Sequence, residues 1–565
     1  MSTIDWLIMI GTTLLIVSYG VWKSRGSKDI KGYLLSNKDM KWWTIGISVM
    51  ATQASAITFL STPGQGFNDG MRFVQFYFGL PIAMVIICVV AIPIYHRLNV
   101  FTAYEYLESR FDLKTRTLGA TLFLLSRSLA AGMTIYAPAI IMATLLDWNI
   151  YWTCIAIGIV VIIYTVSGGT KAVSVTQKQQ MAMILFGMVV AGVIMVLKLP
   201  PEVSFGDAVH IAGKMGKLNV ITTEFDLTDR YNIWSGLIAG TFLYLSYFGT
   251  DQSQVQRYLG GKSISEMRIG LLFNAIFKVP MQFLILFLGV MMFVFFQFQQ
   301  PPLFFNENET QSVLANPEYA DQYQGLQASW DSIYDAKQDR LIALADDNND
   351  ITSSHADFVE INALQSQYDT VRKEAKALLK ANNEFYDDND SDQVFLTFVL
   401  NHLPTGMVGL LIAVILAAAM SSTSAELNAL ATTTVVDIIR RVFIKEGSDQ
   451  RFLNISRLTT LAWGVLAIGV SLFANQVGNL IQAVNILGSL FYGTILGLFV
   501  VAFFFKSVKG TAVFWAGVIV EALTIGAYVM TKLKPEWDFG FLWYNLIGCV
   551  LVVILSLIFQ EIEKE

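Results

Sequence analysis

Cysteine, histidine and charge are all scarce in this 565-residue chain. The three cysteines, Cys88, Cys154 and Cys549, fall in apolar stretches, so no disulfide framework is expected and buried thiols are. Four histidines leave no cluster for a metal centre. No glycine-rich nucleotide loop and no triad-like set appears either, so neither an enzyme nor a nucleic-acid partner is expected. Charged residues make up only 15% of the chain, against about a quarter in ordinary soluble domains.

Apolar residues fill the space that charge leaves. They reach 54%, aromatics 13%, and the mean hydropathy is +0.53. Runs long enough to cross a hydrocarbon core of roughly 30 Å recur thirteen times: about 5–22, 42–62, 73–95, 117–145, 150–167, 178–198, 231–250, 268–297, 395–439, 455–475, 478–505, 511–531 and 540–560. The first lacks the basic flank and cleavage site of a signal peptide and reads as a retained helix. The expectation is an all-α polytopic membrane protein with thirteen transmembrane helices.

Lys and Arg set its orientation. Lys23, Arg25, Lys28, Lys31, Lys38 and Lys41 follow the first run; Arg97, Arg110, Lys114, Arg116, Lys171, Arg257, Lys262, Arg268, Arg440, Arg441, Lys445, Arg451, Lys506 and Lys509 occupy later alternate loops. Thirteen alternating spans put all of them in the cytoplasm of a multi-pass cell-membrane protein. The N-terminus then lies outside and the C-terminus inside. The net charge of −6 conceals two bodies: residues 301–393 hold 19 acidic and 6 basic residues, a net of −13, which leaves +7 on the rest.

Within that acidic insert, Leu326, Trp330, Ile333 and Leu341, and then Phe358, Ile361, Leu364, Tyr368, Val371, Ala375 and Leu378, recur in helical steps around a polar stretch at Asp346–Ser354. This predicts an extracytoplasmic helical hairpin, a surface on which a protein partner could dock. The runs DDNND and DDNDSD lack the glycine of a calcium loop and read as solvated acidic loops. Domain expectations are 1–40 for an extra helix and basic loop, 41–200 for a first repeat, 201–300 with 394–505 for a second, 301–393 for the insert and 506–565 for two C-terminal helices.

Spans two to six and seven to eleven form two sets of five, and an odd number of crossings inverts one set against the other. Each set needs an interrupted first helix. Residues 50–58, MATQASAIT, and Tyr244–Gly249, YLSYFG, are the expected breaks, tolerated where backbone lines a cavity. The stretch AAAMSSTSAELN, Ala417–Asn428, lies in a long apolar run. There the Ala418 carbonyl and the Ser421 and Ser422 hydroxyls share a helical face. With bare carbonyls of Ala51 and Ala54 from the first break they make five neutral oxygens suited to Na⁺. The competing reading of the serines is back-bonding to carbonyls or helix packing.

Intramembrane charges are functional candidates. Arg127, in LLSRSLAAG, is either a two-pronged clamp for a carboxylate or one half of an ion pair with an acid such as Glu426. Lys278 either faces a substrate cavity or packs in a helix ion pair. Glu521 reads as structural and His402 as interfacial.

Four segments, FTAYEYLESRF (Phe101–Phe111), SGGTKAVSVT (Ser167–Thr176), GTDQSQVQRYL (Gly249–Leu259) and MSSTSAELN (Met420–Asn428), make the chain resemble the sodium/solute symporter family. The resemblance implies a LeuT-like five-plus-five inverted repeat and sodium ligands at Ala51, Ala54, Ala418, Ser421 and Ser422. Members with a second cation site carry an acid where this chain has Gln177 and a hydroxyl where it has Ala425, which implies one coupled Na⁺. Sugar-carrying members hold a Gln, a Glu and an Asn where this chain has Thr58, Tyr77 and Tyr244. Tyr247 falls on the aromatic position beneath the substrate, and Lys278 is retained. The stretch Leu480–Phe499 with Gln482, and IYAPA around Tyr136, are similar to the iodide, vitamin and monocarboxylate branch. The expected function is sodium-coupled import of a small organic solute, leaning to an organic anion or a carboxylate-bearing nutrient. The alternatives are a sodium/sugar symporter and, from another class, a solute-sensing receptor that works with a partner.

Overall fold

The computed structural model describes residues 1–24, 38–146, 148–346, 355–383, 390–444, 446–474, 480–537 and 539–563. The basic residues between 25 and 37, the acidic stretch 347–354 and residues 384–389 lie outside that set, as do the side chains of 167–172. Among the described residues the elements are helical, with one isolated bridge between Met40 and Gly261.

The helices run in order α1 (Thr3–Ser24), α2 (Trp42–Gln53), α3 (Ala56–Asp69), α4 (Gly79–Val89), α5 (Ala91–Leu98), α6 (Tyr104–Arg110), α7 (Leu113–Leu146), α8 (Ile150–Leu197), α9 (Phe205–Lys214), α10 (Gly240–Gly249), α11 (Gln252–Leu259), α12 (Ile264–Phe298), α13 (Glu307–Leu314), α14 (Ala320–Asp346), α15 (His355–Asn382), α16 (Ser391–His402), α17 (Met407–Thr433), α18 (Asp449–Ser471), α19 (Leu480–Phe504), α20 (Gly510–Leu533) and α21 (Trp543–Ile562). Among the described residues nine helical segments are long and apolar enough to cross a membrane, and Thr3–Ile16 and Ile150–Val166 are shorter apolar helices. The protein is a multi-pass, all-helical membrane protein. The segments at 42–53 and 235–249 fall short of that length because each is interrupted.

The first interruption lies between α2 and α3. Ala54 leaves the helical region at ψ 76° and Ser55 is extended at ψ 175°. Thr52 and Ser55 are weak helix formers whose hydroxyls compete for the backbone. The second falls later than expected. Tyr244–Gly249 stays helical in α10, and the chain turns at Thr250 and Asp251. Asp251 is the reason: its Oδ1 caps α11, accepting from the Ser253 amide at 2.8 Å and the Ser253 hydroxyl at 2.6 Å.

Close helix crossings hold the first break in place. A Cβ on Gly289 of α12 would meet the Pro63 carbonyl at 2.1 Å, and one on Gly64 would meet the Ser391 carbonyl of α16 at 1.9 Å. Only glycine admits such backbone approach. Helix α17 begins at Gly406, φ +91°. The Asp5 carboxylate of α1 accepts from the Gly406 and Gly409 amides at 2.6 and 3.1 Å, satisfying its first turn. At the other end of α17, Arg116 bridges Asp437 and Glu108, both at 2.7 Å.

The insert has its own core. Helices α14 and α15 pack on each other, with Trp330 stacked on Tyr368 at 3.4 Å between centroids. Lys337 is buried there; its Nζ donates to Gln365 Oε1 at 2.8 Å and sits 4.0 Å from the Tyr368 ring. Burial pushes its ammonium down to about 7, with Asp369 opposing. Arg372 and Lys376 converge on Asp390, at 2.7 and 3.3 Å. Burial alone would raise that carboxyl, but the two cations hold it below the ordinary value. Asp390 directly precedes α16, so this pair ties the insert to the helix lodged against α3.

Candidate functional site

The break between α2 and α3 opens onto a cavity of about 90 Å³. Its wall takes Thr52, Gln53, Ser55 and Thr58 from the break, Tyr77, Arg127 and Thr134 of α7, Tyr244 and Tyr247 of α10, Lys278 of α12, Glu426 of α17, and Ile481, Val484, Asn485 and Tyr492 of α19. Six of the seven expected substrate residues, Thr58, Tyr77, Arg127, Tyr244, Tyr247 and Lys278, therefore meet on one surface. Gln482 does not. It accepts from Arg230 Nη1 at 2.8 Å, and its amide reaches Gln65 at 3.5 Å. Consecutive helical residues point in different directions, and Ile481, Val484 and Asn485 take the cavity face.

The two cations in this wall differ sharply. Arg127 is clamped: Nη1 meets Glu426 at 3.0 Å, Nη2 meets Asp251 and Tyr492, and the guanidinium lies 5.3 Å from the Tyr247 ring. Tyr492 donates onward to Asp251 at 3.1 Å, and Thr134 donates to Glu426 at 2.9 Å. Of its two sequence readings, the ion pair is the one present in this structure. Lys278 is buried to 1% exposure and has no hydrogen-bond or ion-pair partner among the described residues. It lines the cavity with no carboxylate in contact among the described residues.

Aromatic rings form the rest of the box. Tyr77 and Tyr244 stack at 6.2 Å, and Phe76 meets Tyr244 edge-on at 5.5 Å. Gln282 Nε2 donates to the Tyr77 hydroxyl at 2.8 Å and Gln254 Nε2 to that of Tyr247 at 2.7 Å. The buried Tyr244 hydroxyl and Gln53 Oε1 have no partner among the described residues.

Sequence reasoning missed Asp251, Tyr492 and Gln282. Asp251 had a signal, as a lone carboxylate directly after an apolar run in a protein with an intramembrane arginine to neutralise. Tyr492 and Gln282 carry no such mark.

The five expected sodium oxygens lie on helices in contact, since α17 packs against both α2 and α3. All five residues are buried. Ala54 donates its amide to Met50 at 2.8 Å, and no donor among the described residues reaches the Ala51 or Ala54 carbonyl. The Ser421 hydroxyl is buried without a partner among the described residues. Ser422 donates to the Ala418 and Ala419 carbonyls at 3.1 and 3.2 Å, which keeps its own lone pairs free for a cation. Orphaned neutral oxygens of this kind fit Na⁺ and would otherwise be costly to bury. Gln177 joins Ser48 at 2.6 Å and Thr52 at 3.1 Å, a neutral clamp between α8 and α2.

Comparison with known proteins follows the same lines. A model of the sodium:solute symporter family matches residues 33–320 and 379–520; the gap between them falls inside the insert. Sodium-coupled monocarboxylate transporter 1 of Xenopus laevis is 24% identical over 511 residues, covering 89% of this chain and 68% of that protein. The sodium-dependent multivitamin transporter of Oryctolagus cuniculus is 25% identical over 511 residues, 89% of this chain and 67% of that protein. Among solved structures, a Na⁺-coupled sialic acid symporter in a substrate-bound outward-open state has a TM-score of 0.74 at 20% identity, covering 99% of this chain and 98% of that one. At that identity the likeness concerns the fold.

Proposed function

The chain belongs to the sodium:solute symporter family, and from that premise we propose that it imports a small monocarboxylate together with one Na⁺ by alternating access. The observation that carries the substrate class is Lys278, a buried ammonium that faces open space while the neighbouring Arg127 is already neutralised by two carboxylates. A substrate carboxylate supplies the charge that Lys278 lacks. By the same volume measure a water needs roughly 10–15 Å³, so about 90 Å³ suits a solute of about half a dozen heavy atoms. The Tyr77, Tyr244 and Tyr247 rings take its apolar part. Monocarboxylate is also the substrate class in the name of one relative.

Sodium is held by the carbonyls of Ala51, Ala54 and Ala418 and the hydroxyls of Ser421 and Ser422. Its ligands come from α2, the α2–α3 break and α17, so the ion favours the arrangement in which these meet, and its binding shifts the equilibrium between access states. Gln177 offers no charge for a second cation. The breaks after α2 and after α10 support two inverted sets of five within thirteen crossings, and the Lys and Arg of alternate loops support an N-terminus outside and an extracytoplasmic insert.

The test is a thermal-shift screen of the purified protein with small monocarboxylates, their amides and sugars, each with and without sodium. Stabilisation by the acids alone, and only with sodium present, supports the reading. Equal stabilisation by acids and amides would remove the role of Lys278.

A further inference from the structure

A second buried cation lies away from the cavity. Arg257 of α11 has 0% exposure and reaches no carboxylate among the described residues. Its one hydrogen bond among the described residues runs from Nη2 to the Ala425 carbonyl at 3.5 Å, the outer limit for such a bond. Its Nε and Nη1 donors are buried and unpartnered.

Across from it lie further unpartnered polar atoms on α17. Helix α11 packs along α17: Arg257 meets Ala425, and Gln256 Nε2 donates to Thr432 Oγ1 at 3.3 Å. Asn428 falls between those two contact points, three residues after Ala425 and four before Thr432, hence on the face turned to α11. Asn428 is 1% exposed, and neither Nδ2 nor Oδ1 has a partner among the described residues. Two guanidinium donors and an amide, all without a partner among the described residues, therefore share the interface of α11 and α17.

Water could satisfy an isolated amide. It cannot supply the counter-charge that a guanidinium needs in a low-dielectric interior. A full positive charge with N–H donors around it rejects a cation and selects an anion. We propose that Arg257 and Asn428 hold a small monovalent anion, either a halide or a carboxylate group. The site is separate from the cavity of Lys278 and does not depend on the identity of the transported solute.

The experiment uses the purified full-length protein in sodium isethionate, with chloride or formate replacing isethionate at constant sodium and ionic strength, read as melting temperature. The expected result is a saturable rise with chloride that persists in Lys278→Met. Asn428→Ala and Arg257→Lys should each weaken the apparent anion affinity about tenfold, the loss of one charge-assisted hydrogen bond. A rise with formate and none with chloride, if it persists in Lys278→Met, supports the site and assigns it to carboxylates. If Arg257→Lys fails to fold, Asn428→Ala decides alone. No saturable rise with either anion overturns the proposal. So does a rise that Asn428→Ala leaves unchanged, or one that Lys278→Met removes, because the anion then sits elsewhere.

Discussion

Two buried lysines, one in the membrane body and one in the insert, show what turns a buried charge into a binding group. Lys337 is partly compensated inside the hairpin, by Gln365 Oε1 and the Tyr368 ring, and has no space beside it for an outside partner. Lys278 is equally buried but faces a cavity and has no partner among the described residues. Burial costs both of them solvation. Only at Lys278 is there room for something from outside to offset it. Arg127 sharpens the contrast, being a cation in the same wall whose charge Asp251 and Glu426 already compensate.

The largest effect expected from breaking this comparison is at Arg127. Arg127→Gln strands two buried carboxylates, and removing one partner of a buried ion network costs about 3–5 kcal/mol. Thermal unfolding of the purified variant should show a large loss of stability with or without substrate. A stable variant with only weakened transport would mean that Arg127 serves the substrate and not the fold.

Lys278→Met comes next. The fold should persist, because no internal ion pair is lost. Apparent substrate affinity should fall by about 2–3 kcal/mol, some 30- to 140-fold, while sodium binding is retained. Uptake kinetics with folding checked by size-exclusion chromatography separate the two effects. Ser421→Ala should then raise the sodium concentration for half-maximal uptake about tenfold or more, with expression intact. Normal sodium stimulation in that variant would refute the ion site.

The smallest effect belongs to Lys337. Its ammonium sits at about 7 against an ordinary 10.5. The unfolded insert therefore binds more protons between those pH values, and insert stability rises with pH across that window. Lys337→Met should stabilise the hairpin by about 1 kcal/mol near neutral pH. Amide exchange in α14 and α15 should be slower in the variant at pH 7.5, and the difference should shrink toward pH 10. Transport should not change.

Much of this was legible in the sequence because it rests on local pattern. The run MATQASAIT at 50–58 foretold a break, which falls at Ala54, and the serines of AAAMSSTSAELN stood out against apolar neighbours. The second break was displaced because a cap outweighed a weak helix former: Asp251 secures α11, so the turn follows Gly249. Arg127 was visible as a charge in a span, but its state depended on Asp251, 124 positions away in sequence. Gln482 was misplaced for a related reason. A match in sequence fixes a position on a helix, and only packing decides whether that position or its neighbour faces the cavity.

The most direct test is sodium-gradient-driven uptake of labelled pyruvate into proteoliposomes, with competition by unlabelled pyruvate, its methyl ester and galactose. The account predicts uptake that needs the inward sodium gradient, is blocked by the acid and not by the ester or the sugar, and is lost in Lys278→Met. Equal competition by the uncharged ester, or full uptake by Lys278→Met, would contradict it.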